Sequence, residues 1–186
     1  EYDNAEGVVL KICKGKDFNK IFEMFHNSKY PNFNDSRVLK LKGIPLILKL
    51  ASELPSFNFR VVGLKSESII PLDIRPSNVE LIKTKNKTEL RDYFSESQYY
   101  IQASRLEGLP NSLCEAMLCE CIPIGNAVFG IPKAIGNTGF LFNGIKDIEQ
   151  IKLFLKGKHD KTGIAARQNI IDLFNEEKRV KEFKKI

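Results

Sequence analysis

Short apolar runs separated by polar turns recur along the chain, and the period of each run indicates its element. Val8–Ile12, Phe57–Val62, Val79–Ile82, Tyr99–Gln102, Ile122–Gly125 and Gly139–Phe142 read as strands. Several of these are continuously apolar, the pattern of strands covered on both faces in a parallel sheet. Between them the spacing turns helical. Ile47, Leu50, Ala51 and Leu54 mark one helix behind Pro45, Thr88–Phe94 a second, and Ser112–Glu120 a third. Ile148–Leu155, Gly163–Phe174 and Glu176–Phe183 extend the helical pattern beyond the last strand. Near the start, Phe18, Ile21, Phe22, Met24 and Phe25 fit an amphipathic helix, followed by the loop Lys29-Tyr-Pro-Asn-Phe-Asn-Asp-Ser36. Repeating βα units of this length predict an α/β fold with a doubly wound, mostly parallel sheet. Ligands of such a sheet lie in the crevice at the C-terminal ends of its strands.

Composition fits a single domain. The chain has 186 residues, 42% of them hydrophobic and 28% charged, enough for one core and too few for two full domains. The longest apolar stretches, such as Ile44–Leu50, fall far below a membrane span, and no signal-peptide pattern follows Glu1. Cys114, Cys119 and Cys121 lie close together but lack paired C-x2-C spacing, and the chain has only two histidines, so they read as small apolar residues and not as a metal site. Thiols without secretory features point to the reducing cytosol. The net charge of +6 comes from dispersed lysines, including Lys83, Lys85 and Lys87. It reads either as a solvated basic surface or as attraction for an anionic donor, a lipid phosphate or the inner face of a membrane. A nucleic-acid partner is not expected, because basic residues are not interleaved with aromatics in a stripe. Dinucleotide-binding and P-loop readings fail as well. No G-x-G-x-x-G follows a strand, and Gly125-Asn-Ala-Val-Phe-Gly130 lacks the terminal Lys-Ser/Thr.

The most informative segment is Glu107-Gly-Leu-Pro-Asn-Ser-Leu-Cys-Glu115, two carboxylates with seven residues between them. Gly108 and Pro110 are turn chemistry, Asn111 or Ser112 can cap, and Leu113, Ala116 and Met117 recur at helical spacing, which puts Glu115 in the first turn of a helix. Its neighbours are apolar nearly all round, the mark of a buried helix. A buried carboxylate needs a structural donor or a ligand hydroxyl. The helix N-terminus, with its amides and positive dipole end, attracts a phosphate. Carboxylate, anion nest, carboxylate is what a sugar nucleotide needs. An ordinary first-turn Glu favoured by the helix dipole explains Glu115 equally well.

The run Arg105-Leu-Glu-Gly-Leu-Pro-Asn-Ser-Leu-Cys-Glu-Ala-Met-Leu-Cys-Glu-Cys-Ile-Pro-Ile-Gly125, followed by Phe129-Gly-Ile-Pro and Asn137-Thr-Gly-Phe-Leu-Phe, resembles the signature block of family 4 retaining glycosyltransferases of group 1, which have the GT-B fold. Lys42-Gly-Ile-Pro, Phe57-Asn-Phe-Arg-Val-Val-Gly63 and Ala166-Arg-Gln-Asn-Ile-Ile-Asp-Leu-Phe extend the resemblance over roughly residues 37–180. It implies that residues 1–186 are one Rossmann-like, donor-binding domain, the C-terminal half of a GT-B enzyme in polysaccharide biosynthesis. The N-terminal acceptor half would lie outside the chain, and the chain alone would be inactive. The resemblance gives Glu107 the hydroxyls of the transferred sugar as its catalytic role, and Glu115 the ribose hydroxyls. Backbone amides of Leu109, Asn111, Ser112 and Leu113 would face sugar and diphosphate, Lys42 and Arg37 would neutralise the diphosphate, and the base would lie near Ile82 and Lys83. No metal or other cofactor is expected. The partners implied are a nucleotide-sugar donor and a glycan or lipid-linked acceptor, the latter bound through the missing half. Residues 1–36 are atypical. Ser36 stands where the family has Gly, no apolar strand precedes it directly, and Lys133 replaces an acid. Either Val8–Ile12 is the first strand with an insertion after it, or the role of Arg37 has passed to Lys14 or Lys16. A non-catalytic sugar-nucleotide-binding or interaction module with the same fold is the alternative function.

Overall fold

The structure is a computed structural model, and it describes residues 7–14, 21–25, 36–64, 70, 74–83 and 86–175. Among the described residues seven strands form one sheet: β1 (Gly7–Lys14), β2 (Ile21–Phe25), β3 (Phe57–Leu64), β4 (Val79–Lys83), β5 (Tyr99–Gln102), β6 (Ile122–Asn126) and β7 (Phe140–Phe142). Their order across the sheet is β4-β3-β1-β2-β5-β6-β7, with β2 also pairing with β3. Pairings β3–β4, β2–β3, β2–β5, β5–β6 and β6–β7 are parallel, and β1 runs antiparallel to β2 and β3. The mostly parallel, doubly wound sheet expected from the sequence is therefore present.

Helices cover both faces. They are α1 (Ser36–Leu41), α2 (Ile44–Glu53), α3 (Lys87–Ser95), α4 (Asn111–Leu118), α5 (Ile131–Ile135), α6 (Ile148–Lys156) and α7 (Thr162–Leu173). Alternation along the strands divides the core in two. Phe57, Phe59, Val61, Tyr99, Ile101, Ile122 and Ile124 pack with Ile47 and Leu50 of α2 and Ile151 and Leu155 of α6. Val62, Ile82 and Tyr100 face the other way, against Leu90 and Phe94 of α3, Leu113 and Met117 of α4, Ile131 and Ile135 of α5, and Ile170 of α7. Each fully buried Leu, Ile or Phe side chain in these layers contributes roughly 1.5–3 kcal/mol.

Several local expectations are corrected. Ile21–Phe25 is a strand and not part of an amphipathic helix. Five residues are too short a window to separate the two periods, and Ile and Phe suit a strand as well as a helix. Ser36–Leu41 forms a short helix that periodicity did not announce. The proposed helix Glu176–Phe183, the loop residues 29–35, Phe18, Lys16, Lys85 and His26 lie outside the described residues. His159 is half-buried. Its ring packs on Phe154 with centroids 4.0 Å apart, and Nε2 lies 2.6 Å from the Phe154 carbonyl. No helix among the described residues is long and apolar enough to cross a membrane.

Candidate functional site

The parallel strands deliver their following loops to one edge, and the motif residues gather there. Lys42 and Gly43 form the tight turn between α1 and α2. Gly43 has φ of 79°, and a Cβ at this position would collide with the Ala103 carbonyl oxygen, so only glycine lets the turn approach the end of β5. The Arg105 amide then donates to the Leu41 carbonyl at 2.7 Å. On the far side of the same loop, the Gly130 amide donates to the Gly108 carbonyl at 3.0 Å. Residues 105–110 are thus clamped between the α1–α2 turn and the turn that starts α5.

This clamping brings Lys42 and Glu107 together. Lys42 Nζ donates to Glu107 Oε2 at 3.0 Å, with 9% of the lysine side chain and 16% of the glutamate side chain exposed. Two residues assigned to one site from motifs 65 positions apart do meet. Such shielding from water keeps the attraction much stronger than for a surface pair.

Below the loop runs a buried polar chain. The Tyr100 hydroxyl donates to Gln102 Oε1 at 2.5 Å, and Gln102 Nε2 donates to Ser104 Oγ at 2.8 Å. Because the single phenolic proton goes to Gln102, the Ser112 hydroxyl, 2.9 Å from Tyr100 Oη, donates to it. Asn126 Nδ2 donates to the Ser104 carbonyl at 3.0 Å, and Asn126 Oδ1 accepts from the Gly144 amide at 3.1 Å. Tyr100, Gln102, Ser104, Ser112 and Asn126 are all buried. The chain ties the ends of β5, β6 and β7 to the start of α4. Apart from Ser112, named for its backbone amide and as a possible cap, sequence reasoning did not single out these polar residues. A polar residue at the end of an apolar strand carries no local signal when its partners lie in other elements; the nearest available hint was Gln102 closing the run Tyr99-Tyr-Ile.

Helix α4 begins differently from the sequence reading. Pro110 occupies the N-cap with extended backbone, and no side chain caps the helix, so neither Asn111 nor Ser112 does so. Asn111 is its first residue and is exposed, whereas the Ser112 side chain turns into the core. Glu115 is consequently beyond the first turn. It is exposed, not buried as its apolar neighbours suggested. The helix buries one face only, through Ser112, Leu113, Ala116 and Met117, and Glu115 and Leu118 lie off that face. With Leu90, Arg91, Phe94, Leu118 and Cys119, Glu115 lines an apolar groove of about 250 Å³ between α3 and α4.

Leu109 is exposed at the loop. The Leu113 amide donates to the Pro110 carbonyl at 3.1 Å, so it is engaged inside the helix start. Ile82 is buried and Lys83 exposed at the C-terminal end of β4, and the backbone of Arg37 lies in α1. Burial pushes the Cys114 thiol up to about 11 and also raises that of Cys119. Neither is a ready thiolate at neutral pH. Among the described residues no group of three or more His, Cys, Asp and Glu side chains is arranged to hold a metal ion.

A family model described as glycosyl transferases group 1 matches residues 33–172. No curated protein sequence matches the chain. Among solved structures, the chain is similar to sucrose-phosphate synthase from Thermosynechococcus elongatus, with a TM-score of 0.64 at 20% identity over 78% of this chain and 41% of that one. It is also similar to TarM, with a TM-score of 0.65 at 18% identity over 78% of this chain and 32% of that one. A third likeness is to the pneumococcal O-GlcNAc transferase GtfA in complex with UDP and GlcNAc, with a TM-score of 0.60 at 20% identity over 78% of this chain and 33% of that one. At such identities the likeness shows the fold. The chain spans 32% to 41% of the length of these structures.

Proposed function

The chain belongs to the group 1 glycosyltransferases, and from that premise we propose that it is the donor-binding half of a retaining enzyme that transfers a sugar from a nucleoside diphosphate to a glycan or lipid-linked acceptor. The observation that carries this reading is the shielded Lys42–Glu107 pair at the strands' C-terminal edge, beside the uncapped start of α4. An ammonium and a helix N-terminus are suited to a diphosphate, and they stabilise the negative charge that grows as the sugar departs. Glu107 accepts from hydroxyls of the transferred sugar. Glu115, exposed on the outer side of α4, accepts from the ribose, and the base lies towards Ile82 and Lys83. Arg37 adds charge to the diphosphate side. The buried polar chain ties the start of α4 to β5 through Ser112 and Tyr100, and the backbone bonds of Arg105 to Leu41 and of Gly130 to Gly108 hold the loop that carries Glu107; transfer needs such positioning.

Binding on this reading needs no metal, because Lys42 and the α4 amides already meet the diphosphate charge. Calorimetric titration of UDP, GDP and ADP in the presence of EDTA should show one of them binding. Binding that appears only after Mg²⁺ or Mn²⁺ is added would reject the metal-free site.

A further inference from the structure

Two residues given to different parts of the donor touch each other in the free domain. Lys42 donates to Glu107 Oε2 at 3.0 Å, with both side chains more than four-fifths covered. A diphosphate arriving at Lys42 therefore comes within a few ångströms of the Glu107 carboxylate. In so shielded a place, like charges repel with little screening.

We propose that Glu107 makes the site prefer the sugar-bearing donor to the bare nucleoside diphosphate, because its carboxylate holds Lys42 whenever no sugar hydroxyl engages it. This rests on the donor-site reading above. With sugar present, hydroxyl groups donate to Glu107, its charge is satisfied, and the Lys42 ammonium serves the phosphate. Without sugar, the carboxylate and the diphosphate compete for one ammonium. The spent nucleotide is then held less tightly than the donor, and the pair reforms as it leaves. The loop geometry suits this competition. Arg105 and Gly108 are tied by backbone hydrogen bonds to Leu41 and Gly130, so the Glu107 backbone between them is held next to the turn that carries Lys42.

The test is a double-mutant cycle on the 186-residue chain, read by calorimetry with UDP, GDP and ADP and with their sugar conjugates. Glu107→Gln keeps the shape and removes the charge. It should tighten binding of the nucleoside diphosphate by about threefold to thirtyfold and weaken binding of the sugar conjugate. Lys42→Met should weaken the nucleoside diphosphate, and adding Glu107→Gln to it should restore nothing. Should Lys42→Met fail to fold, Lys42→Gln and a salt titration of the wild type against Glu107→Gln replace that arm, the gain shrinking as salt rises. Equal or weaker nucleoside diphosphate binding by a folded Glu107→Gln protein overturns this inference and leaves the donor site standing. Failure of both proteins to bind any nucleotide overturns the donor site and this inference with it.

Discussion

Glu115 is exposed on a helix whose other face is buried, so its removal should cost little stability, within about 0.5 kcal/mol. If it accepts ribose hydroxyls, Glu115→Ala should weaken nucleoside diphosphate and nucleotide sugar alike, by roughly 1.5–3 kcal/mol for a charge-assisted contact. Parallel titrations of both ligands, with circular dichroism as the folding control, decide this. A loss confined to the sugar conjugate would contradict the ribose role. At this scale the sequence was legible where chemistry travels with spacing. Glu107 and Lys42 were named from motifs, and they form an ion pair. It was illegible where the environment decides. Glu115 was taken as buried because its neighbours are apolar, but Leu118 and Cys119 line a surface groove instead of a core. Gln102, Ser104 and Asn126 went unnoticed because their partners are supplied by the meeting of three strand ends.

Between elements, the clearest ionic tie joins α2 to α6. Glu53 accepts from Lys152 at 2.7 Å and from Lys49 at 2.6 Å, and Lys152 also donates to Glu149 at 2.9 Å. The Lys152 hydrogen bond, then that of Lys49, holds the Glu53 carboxyl below the usual carboxylate range, and Glu53 in turn raises the Lys152 ammonium. A carboxyl lowered in the folded state stabilises the fold above its unfolded-state pKa, and this contribution is lost as pH falls through the lowered folded value. Melting temperatures of wild type and Glu53→Gln should therefore differ at neutral pH and converge below about pH 4. A difference that persists in acid would mean that Glu53 acts through packing and not charge. Elements were readable from sequence where an apolar period was long enough. α2, with Ile47, Leu50 and Ala51 buried, matched its pattern. β2 was misread because the five residues Ile-Phe-Glu-Met-Phe are too few to separate the two periods, and its pairing with β3 and β5 is a tertiary fact. α1 was missed because six residues give barely one turn and a half of pattern.

For the molecule as a whole, the alternation of strands and helices foretold a mostly parallel sheet with helices on both faces, and the two core layers follow from it. The antiparallel placement of β1 between β3 and β2 did not follow, since a strand's direction depends on connections that periodicity does not encode. The same architecture bears on turnover. Sugar transfer requires an acceptor oxygen held against the anomeric carbon, and that alignment supplies much of the rate. On the proposed reading, this edge offers a lysine and helix amides to a diphosphate and a glutamate to a sugar, all of them contacts to the donor. The chain also covers only 41% of the sucrose-phosphate synthase structure and 33% of GtfA. The 186-residue chain should consequently bind its donor and fail to transfer sugar by itself. Incubated with its best-binding nucleotide sugar and a panel of glycan and lipid-phosphate acceptors, it should release nucleotide no faster than Glu107→Ala does. Acceptor-dependent release well above that control would show that the acceptor is held by these residues too, and that the domain completes the reaction alone.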